Sequence, residues 1–125
     1  MKLTANFDSE EFRCKDGTAV PDDLLPNTQL LANNLQVLRN ELGLPIAIMS
    51  GFRTIAYNVK CGGAKDSQHC HGRAADITVK GRTPQQVHDL IELLIKMGKM
   101  QNGGLGIYSG WVHYDVGPAG RRWKG

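Results

Sequence analysis

Apolar residues recur at helical spacing in two stretches of the chain and alternate with polar ones in shorter stretches. Leu31, Leu35, Leu38 and Leu42 form one stripe, which predicts a helix from Pro26 to Leu42 stopped by Gly43. Val87, Leu90, Ile91 and Leu94 form a second stripe, ended by Gly98. Its start is Thr83-Pro84-Gln85-Gln86: a capping threonine, proline at the first helical position and glutamine three residues after the cap. Asp8 to Phe12 reads as a short helix with Asp8 and Glu11 at capping-box spacing, followed by a turn-rich stretch from Asp16 to Asp23. Ile55 to Lys60 reads as a further turn or two of helix, closed by Gly62-Gly63.

The strands are shorter. Pro45-Ile46-Ala47-Ile48-Met49 predicts a buried strand, and Ala75-Asp76-Ile77-Thr78-Val79 a second. Gly103 to Tyr108 and Trp111 to Val116 predict a hairpin turning at Ser109-Gly110. Along its second arm, alternation puts Trp111, His113 and Asp115 on one face and Val112, Tyr114 and Val116 on the other. Helices early, strands in the middle and at the end, and no regular βαβ alternation predict an α+β fold. At 125 residues, the chain 1–125 is expected to be one domain with a real core.

Composition narrows the class. A hydrophobic content of 41% suits a soluble globular protein, and a monomer is expected. Cys14, Cys61 and Cys70 cannot all pair within the chain and show no C-x-x-C spacing, so synthesis in a reducing compartment is expected. The net charge is +3, with Arg121, Arg122 and Lys124 crowding the end, read as a solvated terminus or a weak attraction to an anionic cell wall. No aromatic-basic stacking motif accompanies them, so no nucleic-acid partner is expected. No segment reaches membrane-spanning length, so no membrane partner is expected. The start, Met1-Lys2-Leu3-Thr4-Ala5-Asn6, lacks an apolar signal region, which points to cytoplasmic synthesis.

The candidate chemistry lies in Ser67-Gln68-His69-Cys70-His71-Gly72-Arg73-Ala74-Ala75-Asp76 and, later, His113-Tyr114-Asp115. His69, Asp76 and His113 offer two imidazoles and a carboxylate, a three-ligand set for one Zn2+ with a fourth position open for water. The spacing of His69 and Asp76 does not fit one helical face; Gly72 permits a turn between them. Asp115 has two readings, both open: general base, or orienting partner that accepts the second N–H of His113. Arg53 presents a planar fork suited to a carboxylate or a developing oxyanion. Trp111 is a candidate cleft wall, and His71 reads as exposed or accessory.

These residues sit in blocks that resemble the zinc D-alanyl-D-alanine carboxypeptidases and their phage relatives, the murein peptidases of lysins. The blocks are Asn6-Phe7 with Glu10-Glu11-Phe12, Leu38-Arg39-Asn40-Glu41-Leu42-Gly43, Ser50-Gly51-Phe52-Arg53-Thr54 and Tyr57-Asn58. They continue with Gly62-Gly63-Ala64, Ser67-Gln68-His69, Gly72-Arg73-Ala74-Ala75-Asp76-Ile77, Gly104-Leu105-Gly106-Ile107-Tyr108 and Val112-His113-Tyr114-Asp115-Val116. The resemblance covers nearly the whole chain in order. It implies a small antiparallel sheet with packed helices, as also found in the hedgehog signalling domain, and His69, Asp76 and His113 as ligands of one zinc per chain. It implies substrate contacts from Arg53, Ser67 and Tyr57, and a peptidoglycan stem peptide as substrate, cut most readily at D-alanine. Without a signal peptide, such an enzyme would reach the wall after lysis or by phage delivery. More distant relatives carry an acidic base three residues before the last ligand; Gly110 stands there in this chain, which leaves the base open.

Two other readings compete. A catalytically silent zinc module that binds murein or a protein partner would explain Gly110, whereas Arg53 and Asp115 speak for turnover. A cysteine hydrolase using Cys70 with His69 or His71 would need adjacent side chains to converge, and no oxyanion motif accompanies them.

Overall fold

A computed structural model describes residues 1–125 and gives the α+β architecture that the periodicities predict. Three α-helices, α1 (Leu25–Leu42), α2 (Ile55–Lys60) and α3 (Pro84–Lys96), accompany five strands: β1 (Ala47–Ser50), β2 (Ala74–Thr78), β3 (Gly104–Ile107), β4 (Val112–Asp115) and β5 (Arg121–Lys124). Two short 3-10 turns, Ser9–Phe12 and Gln68–His71, complete the elements.

The local signals that predicted helices act as expected. Asp8 and Glu11 close a reciprocal capping box around the first turn. Thr83 and Gln86 do the same for α3, with Pro84 in its first turn. Helix α1 buries Leu31, Leu35 and Leu38, and α3 buries Val87, Ile91 and Leu94. These side chains share one core cluster with Ala75, Ile77, Leu105, Val112 and Tyr114 from the sheet.

The sheet runs in the order β1-β2-β4-β3-β5. The first four strands are antiparallel, as predicted, and β5 adds parallel to β3. Three of the four residues of β5 are basic, a composition that reads as a solvated terminus or a patch drawn to an anionic wall; the pairing with β3 is a tertiary choice that sequence pattern does not announce. Strand β1 is an edge strand of alternating exposed and half-buried residues rather than the buried strand expected, because only β2 pairs with it.

Register divides the two faces of the sheet. Ala75 pairs with Tyr114 and Tyr114 with Leu105, and Ile77 with Val112 and Val112 with Ile107, all on the face packed against the helices. The opposite face carries two rows of another character. One runs Asp76–His113–Gly106–Trp123, and the other Ala74–Asp115–Gly104–Arg121.

Helix α1 also fixes the turn that bears His69. Buried Thr28 donates to Gly72 O at 2.7 Å, and Asn27 Nδ2 donates to His71 O at 2.9 Å. Gly72 adopts a positive φ of 70°, the left-handed turn that Gly permits at little cost. A Thr28→Val substitution strands the buried Gly72 carbonyl and should destabilise the protein by about 1–3 kcal/mol in urea unfolding. An unchanged unfolding midpoint would show that this tie contributes nothing.

Candidate metal centre and cleft

His69 enters the site on the second 3-10 turn, which Ser67 caps: the serine hydroxyl accepts from His69 N–H at 3.2 Å. Asp76 arrives on β2 and His113 on the neighbouring β4, where the two are directly paired across the strands. His69 Nε2 lies 3.3 Å from Asp76 Oδ1, and His113 Nδ1 lies 3.1 Å from the same oxygen. One donor atom from each residue falls within 4.8 Å of the other two, and all three residues are buried.

The far side of each ligand is anchored. His69 Nδ1–H donates to Gly51 O at 2.7 Å, which leaves the Nε2 lone pair facing Asp76. Gly51 is in turn packed on the backbone of Phe12, from which a Cβ would sit only 2.8 Å away. His113 Nε2–H donates to Asp115 Oδ2 at 2.7 Å, leaving Nδ1 for the centre. Asp76 uses its second oxygen to accept from Arg53 Nη2 at 3.3 Å. Two neutral imidazoles with opposite nitrogens tied down, plus one carboxylate, form a donor set that fits Zn2+.

In the metal-free protein the two rings can carry a proton on the nitrogen that faces Asp76, which a bound metal would replace. Burial alone would raise the Asp76 carboxyl, but hydrogen bonds from His113 and His69 in that protonated form and their charge hold it well below the ordinary carboxylate range. Burial likewise opposes ionisation of Asp115; bonds from His113, Arg121 and the Gly117 N–H prevail and bring it down to about 2. For His113, burial disfavours the charged ring, yet the contacts with Asp115 and Asp76 raise its pKa above the usual value.

Asp115 is placed behind the imidazole, away from the cleft. It is fully buried, and its oxygens accept from His113, Arg121 Nη2, Gly104 N–H (3.1 Å) and Gly117 N–H (2.9 Å). Of the two readings of Asp115, this position matches the orienting one: a carboxylate so fully engaged has no lone pair directed at the cleft. Gly110, where distant relatives place an acid, lies exposed with open space around it.

The three ligands open onto a cleft of about 440 Å³ that Arg53, Ser67, Tyr108, Trp111 and Trp123 also line. Arg53 is held on three sides, by Asp76, by Ser50 Oγ at 3.1 Å and by Asn58 Oδ1 at 3.2 Å. Trp111 stacks on Tyr108 with ring centroids 4.6 Å apart. Trp123 tilts against the His113 ring at 4.9 Å and donates its Nε1–H to Tyr108 Oη at 2.8 Å. Tyr57 is not brought to this wall. Half-buried on α2, it packs against the core instead.

Other candidates fall outside the cleft. His71 pairs with Asp66 at 2.7 Å on the surface. The Cys70 thiol is half-buried, and burial pushes its pKa up, which disfavours a nucleophilic thiolate. Sequence reasoning missed Trp123, Tyr108 and the Arg53 support from Asn58. The alternating glycines Gly104 and Gly106 were the available signal for the first, because glycine inside a strand marks close approach.

The family model described as Peptidase M15 matches residues 5–115. A probable peptidoglycan L,D-endopeptidase, MepK, of Haemophilus influenzae is 34% identical over 98 residues, covering 70% of this chain and 49% of that protein. The zinc D-Ala-D-Ala carboxypeptidase of Streptomyces albus G is 43% identical over 44 residues, covering 34% of this chain and 17% of that protein. The chain thus spans half or less of the length of these relatives. It belongs to the M15 peptidases, and family and donor set agree on zinc as the cofactor.

Purified protein should hold about one zinc per chain by atomic emission, and Asp76→Ala should lose it. Retention of stoichiometric zinc by that variant would place the metal elsewhere. In the metal-free protein, the Asp115 pKa of about 2 lies below the ordinary 3.8, so its contribution is complete above about pH 4 and fades as pH falls through about 2. Urea midpoints of the metal-free wild type should therefore fall over that window, and those of Asp115→Asn should fall less.

Proposed function

We propose that this M15 peptidase is a zinc-dependent hydrolase of amide bonds in the peptidoglycan stem peptide, acting at D-alanine as a carboxypeptidase or endopeptidase. The observation that carries the reading is the convergence of His69 Nε2, Asp76 Oδ1 and His113 Nδ1 at the floor of a cleft lined by Arg53. The printed activities of the two relatives, an L,D-endopeptidase and a D-Ala-D-Ala carboxypeptidase, point to the same polymer.

When bound, zinc supplies Lewis-acid chemistry, acidifying a water and polarising the scissile carbonyl. The chain's residues do the rest. His69 and His113 offer fixed lone pairs because Gly51 O and Asp115 hold their other nitrogens. Arg53 faces the cleft with a rigid guanidinium, suited to a substrate carboxylate or to charge developing on the carbonyl oxygen. Ser67 and the aromatic side chains Tyr108 and Trp111 border the space in which a peptide would lie.

One observation favours the second reading, a zinc module that binds murein or a protein partner without turnover. Asp76 is the sole carboxylate lining the cleft, so no separate acid is in place to take the proton of an attacking water.

Incubation with purified murein, followed by mass spectrometry, tests both. Under the first reading soluble peptides appear, chelator abolishes them, and the product mass names the bond. Arg53→Ala, assayed at saturating zinc because Arg53 also steadies Asp76, should lower kcat/KM by about tenfold or more. Zinc-loaded wild type that binds murein fragments and releases nothing would establish the second reading.

A further inference from the structure

The face of the sheet that bears the site does not stop at its ligands. In the row Asp76–His113–Gly106–Trp123, β3 lies between the ligand strand β4 and the outer strand β5. In the adjoining row, Gly104 lies between Asp115 and Arg121. Side chains two strands apart normally stand clear of each other, because the intervening strand projects its own side chain between them. Here both intervening positions are glycine. A Cβ on Gly104 would collide with Asp115 Oδ2 and the Arg121 guanidinium, and one on Gly106 would collide with the Trp123 indole.

Across the gap at Gly104, Arg121 pairs with fully buried Asp115 and is itself steadied by Nε donating to Pro118 O at 2.9 Å. Across the gap at Gly106, Trp123 reaches the His113 ring and then Tyr108 Oη, joining Tyr108 and Trp111 in one aromatic wall. The family model ends at residue 115, before β5 begins, so Arg121 and Trp123 lie outside the matched region while their partners lie within it.

We propose that β5 is a working part of the site: Arg121 is a positioning residue that holds Asp115 against His113, and Trp123 is a specificity-determining wall for the bound peptide. The proposal rests on the zinc-peptidase reading for the identity of the ligand. Arg121 spans the gap at Gly104 to hold the buried Asp115 carboxylate in place, and through it sets the orientation of the His113 ring. Trp123 supplies a broad apolar face beside the metal ligands, suited to the aliphatic part of a stem peptide whose carboxylate meets Arg53.

The test uses full-length protein in four variants: Arg121→Gln, Arg121→Lys, Trp123→Ala and Trp123→Phe. Zinc affinity is read by competition with a chromophoric chelator, and binding of a murein tetrapeptide by calorimetry on zinc-loaded protein. Thermal melting reports folding. Arg121→Gln should weaken zinc binding by about tenfold, with partial recovery in Arg121→Lys. Trp123→Ala should weaken tetrapeptide binding by about tenfold, with partial recovery in Trp123→Phe. A folded Arg121→Gln protein with wild-type zinc affinity overturns the positioning role, even if its melting temperature falls. A Trp123→Ala protein with wild-type tetrapeptide affinity overturns the wall. Neither readout needs turnover, so a wild type that cuts no murein would sink the proposed peptidase activity while these measurements still decide the role of β5.

Discussion

Each side chain at the candidate metal centre is tied at one end so that its other end is free to point inward. Gly51 O fixes His69, Asp115 fixes His113, and Arg53 fixes Asp76. An unanchored imidazole can rotate and present either nitrogen, and a loose centre binds metal weakly. The rest of the structure can be understood as the apparatus that holds these three anchors in place. The close packing of Gly51 on Phe12 holds the first, the Gly104 and Gly117 amides with Arg121 hold the second, and Ser50 and Asn58 hold the third.

The sheet separates the two tasks of the domain. Its helix-packed face is an apolar core in which Tyr114, Ile77, Leu105 and Val112 are fully or almost fully buried. Its opposite face is polar and aromatic, and pairs Asp76 directly with His113. Period-two alternation along β4 lets one strand serve both, since neighbouring residues point to opposite sides. The same alternation gives β3 its double character: Leu105 packs in the core, while Gly104 and Gly106 leave the site face bare.

Asp115 illustrates how a buried charge becomes usable. Desolvation opposes an ionised carboxylate, and four donors, one of them the Arg121 guanidinium, outweigh that cost. The result is a fixed negative charge directly behind the His113 ring. Such a charge strengthens the imidazole as a donor and settles its tautomer. All four of the Asp115 contacts lie behind the imidazole or in the sheet, and it does not line the cleft.

Much of this molecule was legible from one dimension. Capping boxes at Asp8 and Thr83, leucine stripes, and alternation over 111–116 are local signals, and local hydrogen bonding and burial make them reliable. The donor set His69, Asp76 and His113 was legible because residue type constrains metal chemistry so tightly. What the sequence could not determine was contact between strands beyond the hairpin of β3 and β4. The parallel pairing of β5 with β3, the reach of Arg121 and Trp123 across two glycines, the inward turn of Tyr57 and the aim of Asp115 all depend on register and direction. Those are set by which strands lie side by side. A run of four basic or aromatic residues carries no periodic signal of that choice; only the folded sheet makes it.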